Sequence, residues 1–80
     1  MRTQKEAIMQ KTSSVADIGA TIRAERKRQG FTQTELAELS NVGLTYLSNL
    51  ENGKETAEAG KMLHIVRMLG MDLYLAKRGE

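Results

Sequence analysis

The sequence predicts an all-α domain, a bundle of four to five helices, followed by a short C-terminal β-strand that pairs with its copy across a homodimer. Three observations predict it. Apolar residues recur at helical spacing in segments broken at Gly30, at Asn41-Val42-Gly43, at Gly53 and at Gly70. Residues that start helices stand ahead of those segments: Ser14 before Asp17, Thr32 before Glu35 and Thr56 before Glu58. After Gly70 the period changes to two, with Met71, Leu73 and Leu75 alternating against Asp72, Tyr74 and Ala76.

In order, the first dozen residues are polar apart from Ala7, Ile8 and Met9 and are expected to form a flexible arm over 1–12. Ser14 and Asp17 open a helix over about 14–29, whose Val15, Ile18 and Ile22 share one face until Gly30 stops it. Thr32 and Glu35 form a capping box, with Phe31 and Leu36 as a hydrophobic staple, so a second helix begins at Gln33. It ends near Ser40, because Asn41 tolerates the left-handed conformation. A third helix then carries Leu44, Leu47 and Leu50 and is closed by Gly53. The fourth is expected from a Thr56 cap, with Glu58 in its first turn, to Leu69 and Gly70. Its apolar residues, from Ala59 through Met62, Leu63, Ile65 and Val66 to Leu69, span more than one stripe, so part of that surface should meet a partner. A lone strand over 71–75 has no ladder partner within the chain, which makes Met71, Leu73, Tyr74 and Leu75 the expected dimer interface. The domain proper is then 13–70, with 71–80 as dimerisation strand and tail.

Composition narrows the function classes. An 80-residue chain with 40% apolar and 28% charged residues is globular, yet small enough that a second subunit often supplies missing buried surface. Twelve basic against ten acidic residues permit a polyanionic partner without demanding one. Four cations cluster as Arg23, Arg26, Lys27 and Arg28. The absence of cysteine excludes disulfides, thiol nucleophiles and zinc-thiolate sites, and the lone His64 builds no metal cluster. No cofactor, metal or enzymatic activity is expected, since no nucleophile and base pair up. No stretch reaches the ~18 apolar residues of a membrane helix, and the expectation is a soluble, cytoplasmic protein.

Two short helices joined by a three-to-four-residue turn constitute a helix-turn-helix corner, whose second helix is shaped for a major groove. Ala37 allows the third helix a close crossing, and Val42, Leu47 and Leu50 plug the corner. The stretch "IRAERKRQGFTQTELAELSNVGLTYLSNLENGK" resembles the Xre/Cro type of helix-turn-helix regulator, with the resemblance covering residues 17–54. The remainder lacks the proline usual after the third helix and resembles the HipB-like antitoxin subgroup, through Thr56-Ala57, Gly60 and the "LGMDLYL" tail.

That resemblance implies a lambda-repressor-like bundle and a set of DNA-binding residues. Thr32 and Gln33 are expected on phosphates, helped by backbone N–H groups at the helix start. Leu44, Thr45 and Asn49 are expected on base edges, and Tyr46, Ser48, Asn52 and Lys54 near the groove walls or backbone. The residues agree about the face: with Leu47 and Leu50 buried, positions 45, 48, 49 and 52 lie opposite, and all are polar. Arg26 and Glu51 occupy positions that pair across helices in the family. Arg23, Lys27 and Arg28 read chiefly as a solvated helix face, with one or two of them within reach of phosphate as the alternative.

From Phe31 to Gly53 the chain contains no Lys or Arg, which is unusual for a DNA-reading element. Neutral phosphate contacts at the flanks can still place the helix, while Asn49 pairs with adenine and Leu44 and Thr45 pack on thymine methyls. The expected function is a homodimeric, sequence-specific repressor of a palindromic operator in double-stranded DNA. The HipB-like tail adds an antitoxin role, with a HipA-like serine/threonine kinase as partner and autoregulation of the operon. The alternative is a stand-alone phage-type regulator with no toxin partner.

Overall fold

The structure is a computed structural model that describes residues 11–12, 14–55 and 58–78. Among the described residues four helices follow one another: α1 (Val15–Arg28), α2 (Gln33–Ser40), α3 (Leu44–Glu51) and α4 (Ala59–Met68). The all-α expectation holds. The arm expected over 1–12 lies outside the described residues except for positions 11 and 12, and the expected Thr56 cap lies outside them too.

Local chemistry sets the helix ends. Ser14 Oγ accepts the Asp17 N–H at 3.1 Å and opens α1. At α2 the capping box is complete: Thr32 Oγ1 accepts from Glu35 N at 3.0 Å, and Glu35 Oε1 accepts from Thr32 N at 2.8 Å. Asn41 closes α2 with φ of 55°, so that Val42 N reaches back to the Ala37 carbonyl at 3.0 Å. The same six-to-one bond ends α3, from Lys54 N to the Asn49 carbonyl, across Gly53 at φ of 80°.

One expectation is corrected. Helix α4 begins later than expected, with Glu58 at its N-cap position rather than in its first turn and no side-chain bond capping it. Within the one chain residues 71–77 form no ladder; the pairing expected of 71–75 is with a second copy.

Helix α1 packs on α3, and α2 packs on both α3 and α4. Their meeting point buries Ile22, Leu36, Ala37, Leu47, Leu50, Ile65, Val66 and Leu69, rimmed by Val15, Ile18, Phe31, Val42, Tyr46, Met62 and Met71. Each fully buried Leu or Ile contributes about 1.5–3 kcal/mol, so this core is the main source of stability. The tightest approach is at Gly19, where a Cβ would stand 1.9 Å from the Leu50 carbonyl oxygen. There α1 and α3 touch backbone to backbone. Gln29 adds a tie at the far end of α1, donating its amide to the Leu69 carbonyl at 2.7 Å. No described helix is long and apolar enough to cross a membrane.

Candidate nucleic-acid interface

Burying Leu47 and Leu50 turns the opposite side of α3 outward. Leu44, Thr45, Asn52 and Lys54 are exposed, and Ser48 and Asn49 are half-buried beside them. One ledge therefore carries a leucine, a threonine and two asparagines, with Lys54 at its far end. Short of Lys54, such a ledge offers hydrogen bonding and methyl contact without fixed charge.

The start of α2 adjoins this ledge through Glu51. Gln33, expected on phosphate, donates its Nε2 to Glu51 Oε1 at 3.1 Å. Glu51 is buried and also accepts Arg26 Nε at 2.7 Å and Nη2 at 2.9 Å. The third arm of the Arg26 fork reaches the Phe31 carbonyl at 2.9 Å. The pairing expected of Arg26 and Glu51 thus exists, and it fixes Gln33 as well. With the capping box engaging the N–H groups of Thr32 and Glu35, those of Gln33 and Thr34 remain the first-turn donors with no partner inside the helix.

Charge follows from these contacts. Burial pushes the Glu51 carboxyl up, but the bonds from Arg26 and Gln33 and the charges of Arg26 and Arg23 outweigh it and hold it below the ordinary value of 4.5. The bond from the Thr32 backbone, then its hydroxyl, lowers the Glu35 carboxyl. Both carboxylates are ionised at neutral pH.

Tyr46 stands apart from the other expected contacts. Its ring packs against the core under Lys61, 5.4 Å from the ring centre, and its hydroxyl donates to the Glu58 carbonyl at 2.7 Å. It ties α3 to the start of α4. Three features escaped sequence reasoning: the close approach at Gly19, the Gln33–Glu51 bond and the Gln29 tie. The first had a visible signal, since Gly19, Arg23 and Arg26 share one helical stripe at spacings of four and three. The other two depend on side-chain amides whose partners are distant in sequence.

Two short helices at a tight corner, a capped N-terminus next to an uncharged polar ledge, and a buried Arg–Glu pair behind it define a helix-turn-helix unit. The Helix-turn-helix family model matches residues 22–75, and the chain belongs to that family as an Xre-type transcriptional regulator. It is 45% identical over 65 residues to an uncharacterized HTH-type transcriptional regulator, y4mF, of Sinorhizobium fredii (strain NBRC 101917 / NGR234), covering 81% of this chain and 86% of that one. It is 33% identical over 63 residues to the ImmF control region 10 kDa protein of Bacillus phage phi105, covering 79% of this chain and 70% of that one. A shorter match of 39 residues, 51% identical, is to the competence pilus inhibition repressor of Acinetobacter baylyi (strain ATCC 33305 / BD413 / ADP1), covering 49% of this chain and 36% of that one. Among solved structures, the fold matches a chain of a HipA-HipB-O2-O3 complex with a TM-score of 0.77 at 24% identity, covering 88% of this chain and 99% of that one. A HipB-O4 20mer complex matches with a TM-score of 0.72 at 25% identity, over 88% and 99% of the two chains.

Proposed function

We propose that this chain is a sequence-specific DNA-binding repressor, acting in the cytoplasm as a homodimer, and the antitoxin of a HipBA-like pair that autoregulates its operon. The observation that carries the DNA reading is the uncharged ledge of α3, turned outward by Leu47 and Leu50 and flanked by the capped start of α2. In this reading Thr32 and Gln33 hold phosphates, Asn49 takes an adenine edge, and Leu44 and Thr45 pack on thymine methyls. Ser48, Asn52 and Lys54 line the groove wall, and Tyr46 acts from behind by fixing α3. Two such ledges on a two-fold axis read half-sites about 34 Å apart, one helical turn.

The antitoxin part is supported by the fold's match to a HipA-HipB-O2-O3 complex and by the "LGMDLYL" tail. The partner would be a HipA-like kinase. A second reading, a phage-type regulator with no toxin, is favoured by the likeness to the phage phi105 protein. Co-expression with a kinase-like product of an adjacent reading frame separates the two: stable co-purification supports the antitoxin.

The ledge itself is tested by Asn49→Ala. With a duplex selected from a randomised pool, the variant should bind about 1–3 kcal/mol more weakly and lose preference at one adenine position. Full affinity and unchanged preference would remove Asn49 from the reading face.

A further inference from the structure

The corner where α2 begins poses an electrostatic problem for the function just proposed. Glu35 and Glu51 both sit there as ionised carboxylates, the first accepting from the Thr32 backbone in the capping box and the second bonded to Gln33. A phosphate arriving at Gln33 meets two negative charges. Arg26 offsets one of them, but it is buried, only 7% exposed, and its guanidinium donates inward to Glu51 and to the Phe31 carbonyl. An exposed cation beside this corner would favour the phosphate.

Helix α1 supplies a candidate by its geometry. Gly19 lies against the backbone of Leu50 and Glu51, a Cβ there standing 3.3 Å from Glu51 Cα, and Arg26 grips the Glu51 carboxylate. Arg23 is between them on the same stripe, four residues after the first and three before the second. Unlike its two neighbours it is exposed. The other cations of the segment do not compete: Arg28 is bound by Glu25 through its Nε at 2.8 Å, and Lys27 turns further from the Gly19 stripe. Arg23 makes no ion pair or hydrogen bond among the described residues.

Resting on the DNA-binding reading above, we propose that Arg23 is a phosphate clamp: its exposed guanidinium, on the α1 stripe that lies along the Glu51 corner, grips the duplex-DNA phosphate that the start of α2 receives. The field of Arg23 already reaches this corner, since it helps hold the Glu51 carboxyl low. The fixed charge missing from the reading helix thus comes from α1, across the Glu51 bridge. A guanidinium suits the task because its fork can grip two phosphate oxygens at once.

The test is the salt dependence of binding to a duplex selected from a randomised pool. Each neutralised phosphate contributes about 0.9 to the slope of log affinity against log salt. Arg23→Gln should lower the slope by about 1 while leaving the preferred sequence and the urea midpoint unchanged; Arg23→Lys should restore most of the slope, and Arg28→Gln should leave it alone. An Arg23→Gln variant with the wild-type slope overturns the clamp and spares the DNA-binding reading. Wild-type protein that selects no sequence and binds no duplex overturns both.

Discussion

Glu51 shows how much a single side chain can carry. It accepts from Arg26 and Gln33 with its side chain 1% exposed, so it joins α1, α2 and α3 at one atom group. Replacing it strands the Arg26 charge in the interior, a loss of about 3 kcal/mol or more for a buried pair broken on one side. We expect Glu51→Gln to lose about that much at pH 7, read from the urea midpoint. The pH dependence has a definite sign. A carboxyl held below its unfolded value contributes stability that is complete above that value, 4.5, and is lost as the pH falls through the lower folded value. Wild-type stability should therefore fall on acidification below about pH 4.5, and Glu51→Gln should lack part of that fall. Glu25 is held at about 2 by Arg28 and then Gln29. Its pair contributes little, because Arg28 is 70% exposed and water screens it. An equal acid slope in wild type and variant would show that Glu51 is not the titrating group.

At the scale of elements, Gly19 decides how α1 meets α3. Glycine inside a helix costs about 1 kcal/mol relative to alanine, so propensity alone favours Gly19→Ala. Packing opposes it: the new Cβ would lie 1.9 Å from the Leu50 carbonyl oxygen and 2.9 Å from its carbon, and both are backbone atoms that cannot rotate aside. Overpacking of this kind costs about 1–3 kcal/mol when the surroundings yield, and more when they do not. The packing term wins. We expect Gly19→Ala to lower the urea midpoint despite its better helix propensity, and a rise would show that α1 and α3 separate more easily than their contact suggests. The helix boundaries themselves were legible because caps are local: Thr32 with Glu35, and Asn41 after Ser40, act within four residues. The start of α4 was misplaced because Glu58 caps nothing with its side chain, and no local signal marks Ala59.

For the whole molecule the open surface lies at the C-terminus. Leu75 is 95% exposed, beside Leu73 and Tyr74, next to a cleft of about 230 Å³ lined by Leu63, Val66, Arg67, Asp72 and Leu73. So much apolar surface on a small chain matches the homodimer proposed through residues 71–75. Leu75→Glu distinguishes assembly from folding, because a side chain this exposed contributes almost nothing to one subunit. Its monomer stability should stay the same, while its solution mass at micromolar concentration should fall from dimer to monomer. A variant that remains dimeric would place the interface elsewhere.

Taken by itself, the sequence determined the four helical segments, the helix-turn-helix corner, the family, and which side of α3 faces outward. These follow from spacing and caps, whose physics acts over a few residues. Only the tertiary structure decided that Gln33 is tied to Glu51, that Tyr46 faces the start of α4 rather than standing free at the ledge, and that Gly19 brings α1 against α3. Each of these is a contact across roughly 12 to 32 positions of sequence, set by where packed helices bring side chains together, and no local pattern of residues encodes that distance.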